Sequence, residues 1–182
     1  MPQSKAPRKH LTKRTIIALV LLTAVLGGLL WDGSPLASLV LRQAVRLKFR
    51  SVRQVTPTEL VAWTHDPNRP PPLLIDARPD SAFRLSRLEG AVRIDPEHPD
   101  LAPLQHVPRD QPLVVYDAAG VIGTVMVIGL TEAGFSRVSN LEGGIFHWAN
   151  EGHPIVGDSG SAAKVNPVSW WWGRLLKGRY RP

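Results

Sequence analysis

Two four-residue runs, Leu73-Leu-Ile-Asp76 and Leu113-Val-Val-Tyr116, constrain the fold of this chain more than anything else in it. A strand with one wet face alternates apolar and polar residues. An unbroken apolar run that ends at a turn instead marks a strand covered on both faces, as in a parallel sheet between layers of helix. The segments around them supply those layers. Val52-Arg-Gln-Val55 is a short β-rich run, and Thr56 or Thr58 can cap a helix carrying Glu59 and Trp63, with Pro57 in its first turn. The proline-rich stretch 67–72 reads as a surface loop. A short helix is expected over 79–85, a strand over 91–94 after Gly90, and an apolar helix over 124–132 that Gly134 stops. A last strand over 137–139 and a final helix over 143–151 complete an α/β domain with a largely parallel sheet.

In such a sheet, ligands bind beyond the carboxyl ends of the strands. The two turns of interest are Asp76-Ala77-Arg78 and the loop made of Asp117, Ala118, Ala119, Gly120, Val121, Ile122 and Gly123. A tight loop leading from a strand into a helix aims backbone N–H groups inward, which makes an anion cradle.

Three separated blocks resemble the rhodanese-like (sulfurtransferase) family. The first is Leu74-Ile75-Asp76-Ala77-Arg78 with Phe83 and Leu88-Glu89-Gly90-Ala91-Val92-Arg93-Ile94; the second is Val114-Val115-Tyr116. The third is Val138-Ser139-Asn140-Leu141-Glu142-Gly143-Gly144-Ile145, followed by Trp148 and Gly152-His153-Pro154-Ile155-Val156. Order and spacing agree over 52–157, and the resemblance implies a roughly five-stranded parallel sheet flanked by helices. It also implies a catalytic cysteine directly after the second block, opening a loop of the form C-x-x-G-x-R-[ST]. Here Asp117 holds the cysteine position, Gly120 keeps the glycine, Ile122 replaces the arginine and Gly123 replaces the hydroxyl residue. Nucleophile, cationic anchor and hydroxyl are all gone.

The chain contains no cysteine at all. A carboxylate cannot form a persulfide, and it places negative charge where anionic thiosulfate would have to dock. An aspartyl nucleophile generally works with Mg²⁺ held by further carboxylates, and Asp76 is the only candidate nearby. The favoured reading has Asp117 capping the amides of its own loop, worth about 1 kcal/mol. Asp76 and Arg78 read as an internal ion pair or as loop-bracing hydrogen bonds rather than as catalytic groups. The candidate binding residues are therefore Asp76, Arg78, Asp117 and Gly120. The Glu142-Gly143-Gly144 turn reads as a backbone requirement, and Trp148 as core. The six histidines have no metal-ligand spacing, so neither a metal nor a cofactor is expected.

Charge divides the chain by region. Residues 1–53 hold ten Lys/Arg against one acid, 54–157 seven against thirteen, and 158–182 five against one. The domain is acidic and its arms basic, a pattern that argues against nucleic acid and for anionic lipid headgroups. Beyond the basic segment 1–14, a seventeen-residue run without charge opens at Thr15 and closes at Trp31. As a helix it spans about 25 Å, close to a hydrocarbon core of about 30 Å. A transmembrane helix is preferred to a cleaved signal peptide, because the run is long and the site after it poor for cleavage. Lys13 and Arg14 abut the run, whereas the first base after it is Arg42. Positive-inside orientation then leaves the N-terminus cytoplasmic and the domain periplasmic, at a bacterial inner membrane.

The linker 32–51 reads as a basic amphipathic helix with Leu36, Leu39, Val40, Gln43, Ala44 and Leu47 along one side. That stripe suits either the lipid interface or packing on the domain, with Arg42, Arg46 and Lys48 available to headgroups. In the segment 158–182, Trp170, Trp171 and Trp172 suit either the headgroup level or the protein's own surface. The expected function is a membrane-anchored, catalytically inactive rhodanese-like module that binds or regulates an unnamed protein partner. The alternatives are an enzyme of altered chemistry at Asp117 and a structural, lipid-surface protein.

Overall fold

The computed structural model describes residues 34–182. The basic segment 1–14 and the expected membrane helix over 15–31 lie outside the described residues. Among those described, no helix is long and apolar enough to cross a membrane.

The chain opens with helix α1 (Pro35–Lys48), then strand β1 (Gln54–Val55), α2 (Pro57–Thr64), β2 (Leu73–Asp76), α3 (Asp80–Leu85) and β3 (Val92–Arg93). After a 3₁₀ turn at Ala102–Leu104 come β4 (Leu113–Tyr116), α4 (Ile122–Glu132), β5 (Val138–Leu141) and α5 (Gly144–Asn150). A hairpin of β6 (Val156–Gly157) and β7 (Gly160–Ser161), helix α6 (Trp170–Gly173) and a 3₁₀ turn at Gly178–Tyr180 finish it. The five main strands form one sheet in the order β1-β5-β4-β2-β3, every neighbouring pair parallel. The expected α/β fold with a five-stranded parallel sheet is what the chain adopts.

Strand β4 shows why its sequence is unbroken. Leu113 and Val115 point into a cluster with Ile75, Val127, Leu130 and Phe135. Val114 and Tyr116, one residue out of phase, point into the opposite cluster with Leu60, Leu141, Ile145 and Phe146. All four are completely buried. Thr56 caps α2 through a reciprocal arrangement with Glu59: the Glu59 amide donates to the Thr56 hydroxyl (3.2 Å), and the Thr56 amide donates to the Glu59 carboxylate (2.7 Å). The edge strand β3 spans two residues rather than the expected four, since β2 is its only neighbour.

The described parts of both basic arms pack on the domain. Helix α1 docks through Leu41 and Val45, and the stripe Leu36, Leu39, Val40 and Leu47 faces outward, 43–63% exposed. Of the two readings of that stripe, packing on the domain is overturned, because a different face of the helix makes the contact. Val165 and Leu176 are fully buried in the cluster shared by α2 and α5. The last residues are tied down as well: the Val165 amide donates to the Tyr180 carbonyl (2.7 Å), and Asn150 bonds the backbone of Leu175 and Lys177.

Candidate functional site

The loop after β4 is built around the Asp117 carboxylate. One carboxylate oxygen, Oδ1, accepts from the Gly120 amide (2.5 Å), and Oδ2 accepts from the Ile122 amide (3.0 Å), the first of α4. Asp117 therefore closes the start of α4, which begins two residues earlier than its apolar pattern predicts. The residue is 3% exposed. Burial pushes its carboxyl above the ordinary carboxylate range, against the opposite pull of the Ile122, Gly120, Val121 and Gly123 amides.

Helix α5 holds the loop from behind. The Ile145 amide donates to the Asp117 carbonyl (2.9 Å) and the Phe146 amide to the Ala118 carbonyl (3.1 Å). This approach explains the paired glycines. Gly144 has φ +57°, and a Cβ there would strike the carbonyls of Asp117 and Ala118. On the other side, Gly120 has φ +85°, and its Cβ would lie 2.7 Å from the Gly143 nitrogen. The Gly120 carbonyl accepts from Thr124 Oγ1 (2.9 Å) and Asn140 Nδ2 (3.1 Å).

Asp76 and Arg78 lie at the carboxyl end of β2, beside this loop. The Arg78 guanidinium donates to both Asp76 oxygens, Nε at 2.9 Å and Nη2 at 2.6 Å, and also to the Ser86 carbonyl. Neither side chain exceeds 1% exposure. Burial alone would lower the Arg78 guanidinium, but the hydrogen bonds and charge of Asp76 outweigh it and hold it above its ordinary value. Tyr116 completes the brace, its ring beneath the guanidinium and its hydroxyl accepting from the Leu88 amide (3.1 Å).

Above the loop sits an apolar cleft of about 80 Å³, lined among others by Ala77, Pro79, Ala119, Ile122, Val168 and Trp172. The last two come from the C-terminal segment, so the protein covers its own loop mouth. Val168 adopts φ +65°, a costly conformation for a β-branched residue, and its amide donates to Asn166 Oδ1 (2.8 Å).

The structure thus gathers Asp76, Arg78, Asp117 and Gly120 at one edge of the sheet. It does not bring Arg42, Arg46 or Lys48 there as free cations. Arg46 Nε donates to Glu142 (2.6 Å), and Arg42 Nε lies 3.0 Å from the other Glu142 oxygen, off line for a hydrogen bond. Lys48 stacks over Phe49. Trp170 and Trp171 stack on each other and are exposed, while Trp172 lines the cleft. Among the described residues no group of three His, Asp or Glu side chains could hold a metal.

Sequence reasoning missed three contributors: Asn140 as a loop brace, Glu142 as the anchor of α1, and Val168 as part of the cover that it forms with Trp172, for which contact with the protein's own surface is one of the two expectations. Glu142 had a readable signal, an acid between apolar and glycine positions, with Arg42 and Arg46 four residues apart in the linker.

Comparison with known proteins agrees with the geometry. A "Sulfurtransferase" of Allochromatium vinosum is 32% identical over 88 residues, 48% of this chain and 81% of that protein. The "Uncharacterized protein YibN" of Escherichia coli K12 is 28% identical over 91 residues, 49% of this chain and 64% of that protein. Among solved structures, the BH2092 protein of Bacillus halodurans shares the fold with a TM-score of 0.53 at 17% identity, over 65% of this chain and 87% of that one. Residues 56–151, more than half of the chain, match the rhodanese-like domain. With a parallel five-stranded sheet and this match over more than half of its length, the chain, which contains no cysteine, belongs to the rhodanese-like domain family.

Proposed function

We propose that this chain is a membrane-tethered rhodanese-like domain that binds or regulates a protein partner and does not carry sulfur. The observation behind the reading is the Asp117 carboxylate, which occupies the amide cradle of the loop with both of its oxygens. A cradle filled by a covalently attached anion has no room for thiosulfate, and a chain without cysteine has no thiol on which to form a persulfide. The tether is the uncharged run from Thr15 to Trp31, with the N-terminus cytoplasmic and the domain periplasmic at a bacterial inner membrane.

The test is thiosulfate:cyanide sulfur transfer by the full chain and by a variant carrying Asp117→Cys, Ile122→Arg and Trp172→Ala. Gly123 stays, because a Cβ there would meet Asn140 Oδ1 at 2.5 Å. Ile122 is 48% exposed and can take the longer side chain, and removing Trp172 opens the cleft. The expected result is an inactive parent and turnover in the variant. Turnover by the parent sinks the reading.

One observation favours a second reading, an altered chemistry at Asp117: burial raises its carboxyl toward the range of a general acid. Against it stand the 3% exposure and the engagement of both oxygens. Any activity abolished by Asp117→Asn but insensitive to thiosulfate would establish that second reading.

A further inference from the structure

We propose that the carboxyl edge of the sheet, with the mouth of the 117–123 loop, is seated against a phospholipid bilayer. The inference rests on the tethering half of the proposed function and not on the absence of sulfur transfer.

The argument begins with the direction of α1. Near its start, Ser38 shares a crevice with Ala119 of the loop and Leu175 of the C-terminal segment. Beyond its end, Phe49 packs on the cluster that holds Leu113 and Val138, the first residues of β4 and β5. The helix therefore runs antiparallel to the strands, and its N-terminal end lies at their carboxyl edge. The apolar run that closes at Trp31 is separated from Pro35 by Asp32, Gly33 and Ser34. The four steps from Trp31 to Pro35 reach at most about 14 Å, so a membrane exit at Trp31 keeps the first turn of α1 close to headgroup level.

Helix α1 and the domain move as one unit. Leu41 and Val45 pack on the domain, and Glu142, with its side chain 8% exposed, pairs with both Arg42 and Arg46.

The exposed large apolar side chains fit such a seat. Leu36, Leu39 and Val40 occupy the first half of α1, and Ile122 and Val125 the first turn of α4. Trp170 and Trp171 stand next to Trp172, which lines the loop mouth. Ala119 borders both the α1 crevice and that mouth, so three separate chain segments meet at one end of the domain. Indole rings and short aliphatic chains are suited to the boundary between headgroups and acyl chains. Two acids just past β2 and β3 are ion-paired within the domain, Asp80 with Arg84 (2.9 Å) and Asp95 with Arg93 (3.3 Å).

The absence of cysteine makes the test clean. Single cysteines Val40→Cys, Ile122→Cys and Trp170→Cys would report the carboxyl edge, and Ser136→Cys, before β5, the opposite end. Each is labelled with an environment-sensitive fluorophore in the full chain, reconstituted in phosphatidylcholine–phosphatidylglycerol vesicles containing a headgroup-level lipid quencher. The expected result is quenching at residues 40, 122 and 170 at least about twofold stronger than at 136, reversed by detergent. Release of the chain by alkaline carbonate would refute the membrane span and the inference with it. If the chain is retained but quenching at 136 equals the rest, or none is quenched, the span stands and the orientation is overturned. Energy transfer between labelled copies without lipid quenching would give the edge to a second copy and overturn it equally.

Discussion

Asp76→Asn is the substitution whose cost the structure determines most directly. Asp76 is completely buried, and its two oxygens receive Arg78 Nε at 2.9 Å, Arg78 Nη2 at 2.6 Å and the Arg78 amide at 3.0 Å. Asparagine keeps one acceptor and turns an N–H₂ group toward a guanidinium. Arg78, 1% exposed, then holds a positive charge met only by that neutral acceptor, the Ser86 carbonyl and the Tyr116 ring. Removing one partner of a buried pair costs about 3–5 kcal/mol, and the surviving acceptor places this variant near the lower end. Urea denaturation of residues 34–182, which hold both hydrophobic clusters, reads the loss as a lowered midpoint at unchanged slope. The apolar double variant Asp76→Leu with Arg78→Met serves as the control. It should be milder than Asp76→Asn alone, since no charge is left stranded. A loss under about 1 kcal/mol for the single variant, or a double variant worse than the single, would refute the account of this pair as a mutually dependent brace.

Two further outcomes follow from the same geometry. In Glu142→Gln, amide hydrogen exchange along α1 (Pro35–Lys48) should accelerate by about tenfold, corresponding to about 1–2 kcal/mol, while β4 exchanges as before; equal acceleration in both would mean that the clamp is not local. For Asp117 the folded-state carboxyl lies above its unfolded value, so its contribution to stability is present at low pH and is lost as pH rises through the folded value. The stability of the parent relative to Asp117→Asn should therefore fall with rising pH, starting from about pH 4. A difference that grows with pH would show that the loop amides outweigh burial.

What could be read in advance follows from the range of the interactions involved. Strands β2 and β4 were visible because burial on two faces leaves an unbroken apolar run, and α2 because Thr56 and Glu59 cap it within four residues. The Asp76–Arg78 pair is equally local. The docking of α1 was not legible: its visible stripe is exposed, and its true contact face mixes Leu41 and Val45 with arginines whose partner lies almost a hundred residues away. Val165 and Leu176 were hidden for a related reason. Neither belongs to an apolar run longer than two residues in its basic segment, and only packing on the cluster that holds α5 turns each into core. The loop itself was legible as to which groups are absent. That Trp172 and Val168 cover it depends on a tertiary turn with no local pattern.

The clamp at Glu142 has a mechanical consequence. A flexible tether would let the domain tumble independently of whatever precedes Pro35. Here the two arginines and the packed leucine and valine remove that freedom from α1, so a force applied at Pro35 reaches the domain as torque. Its point of application is the Leu141–Gly144 turn, where β5 ends and where the α5 amides grip the 117–123 loop. A helix levered at this turn would shift the carbonyls of Asp117 and Ala118 before it disturbed the sheet, which makes the 117–123 loop the part of the molecule that registers strain in α1.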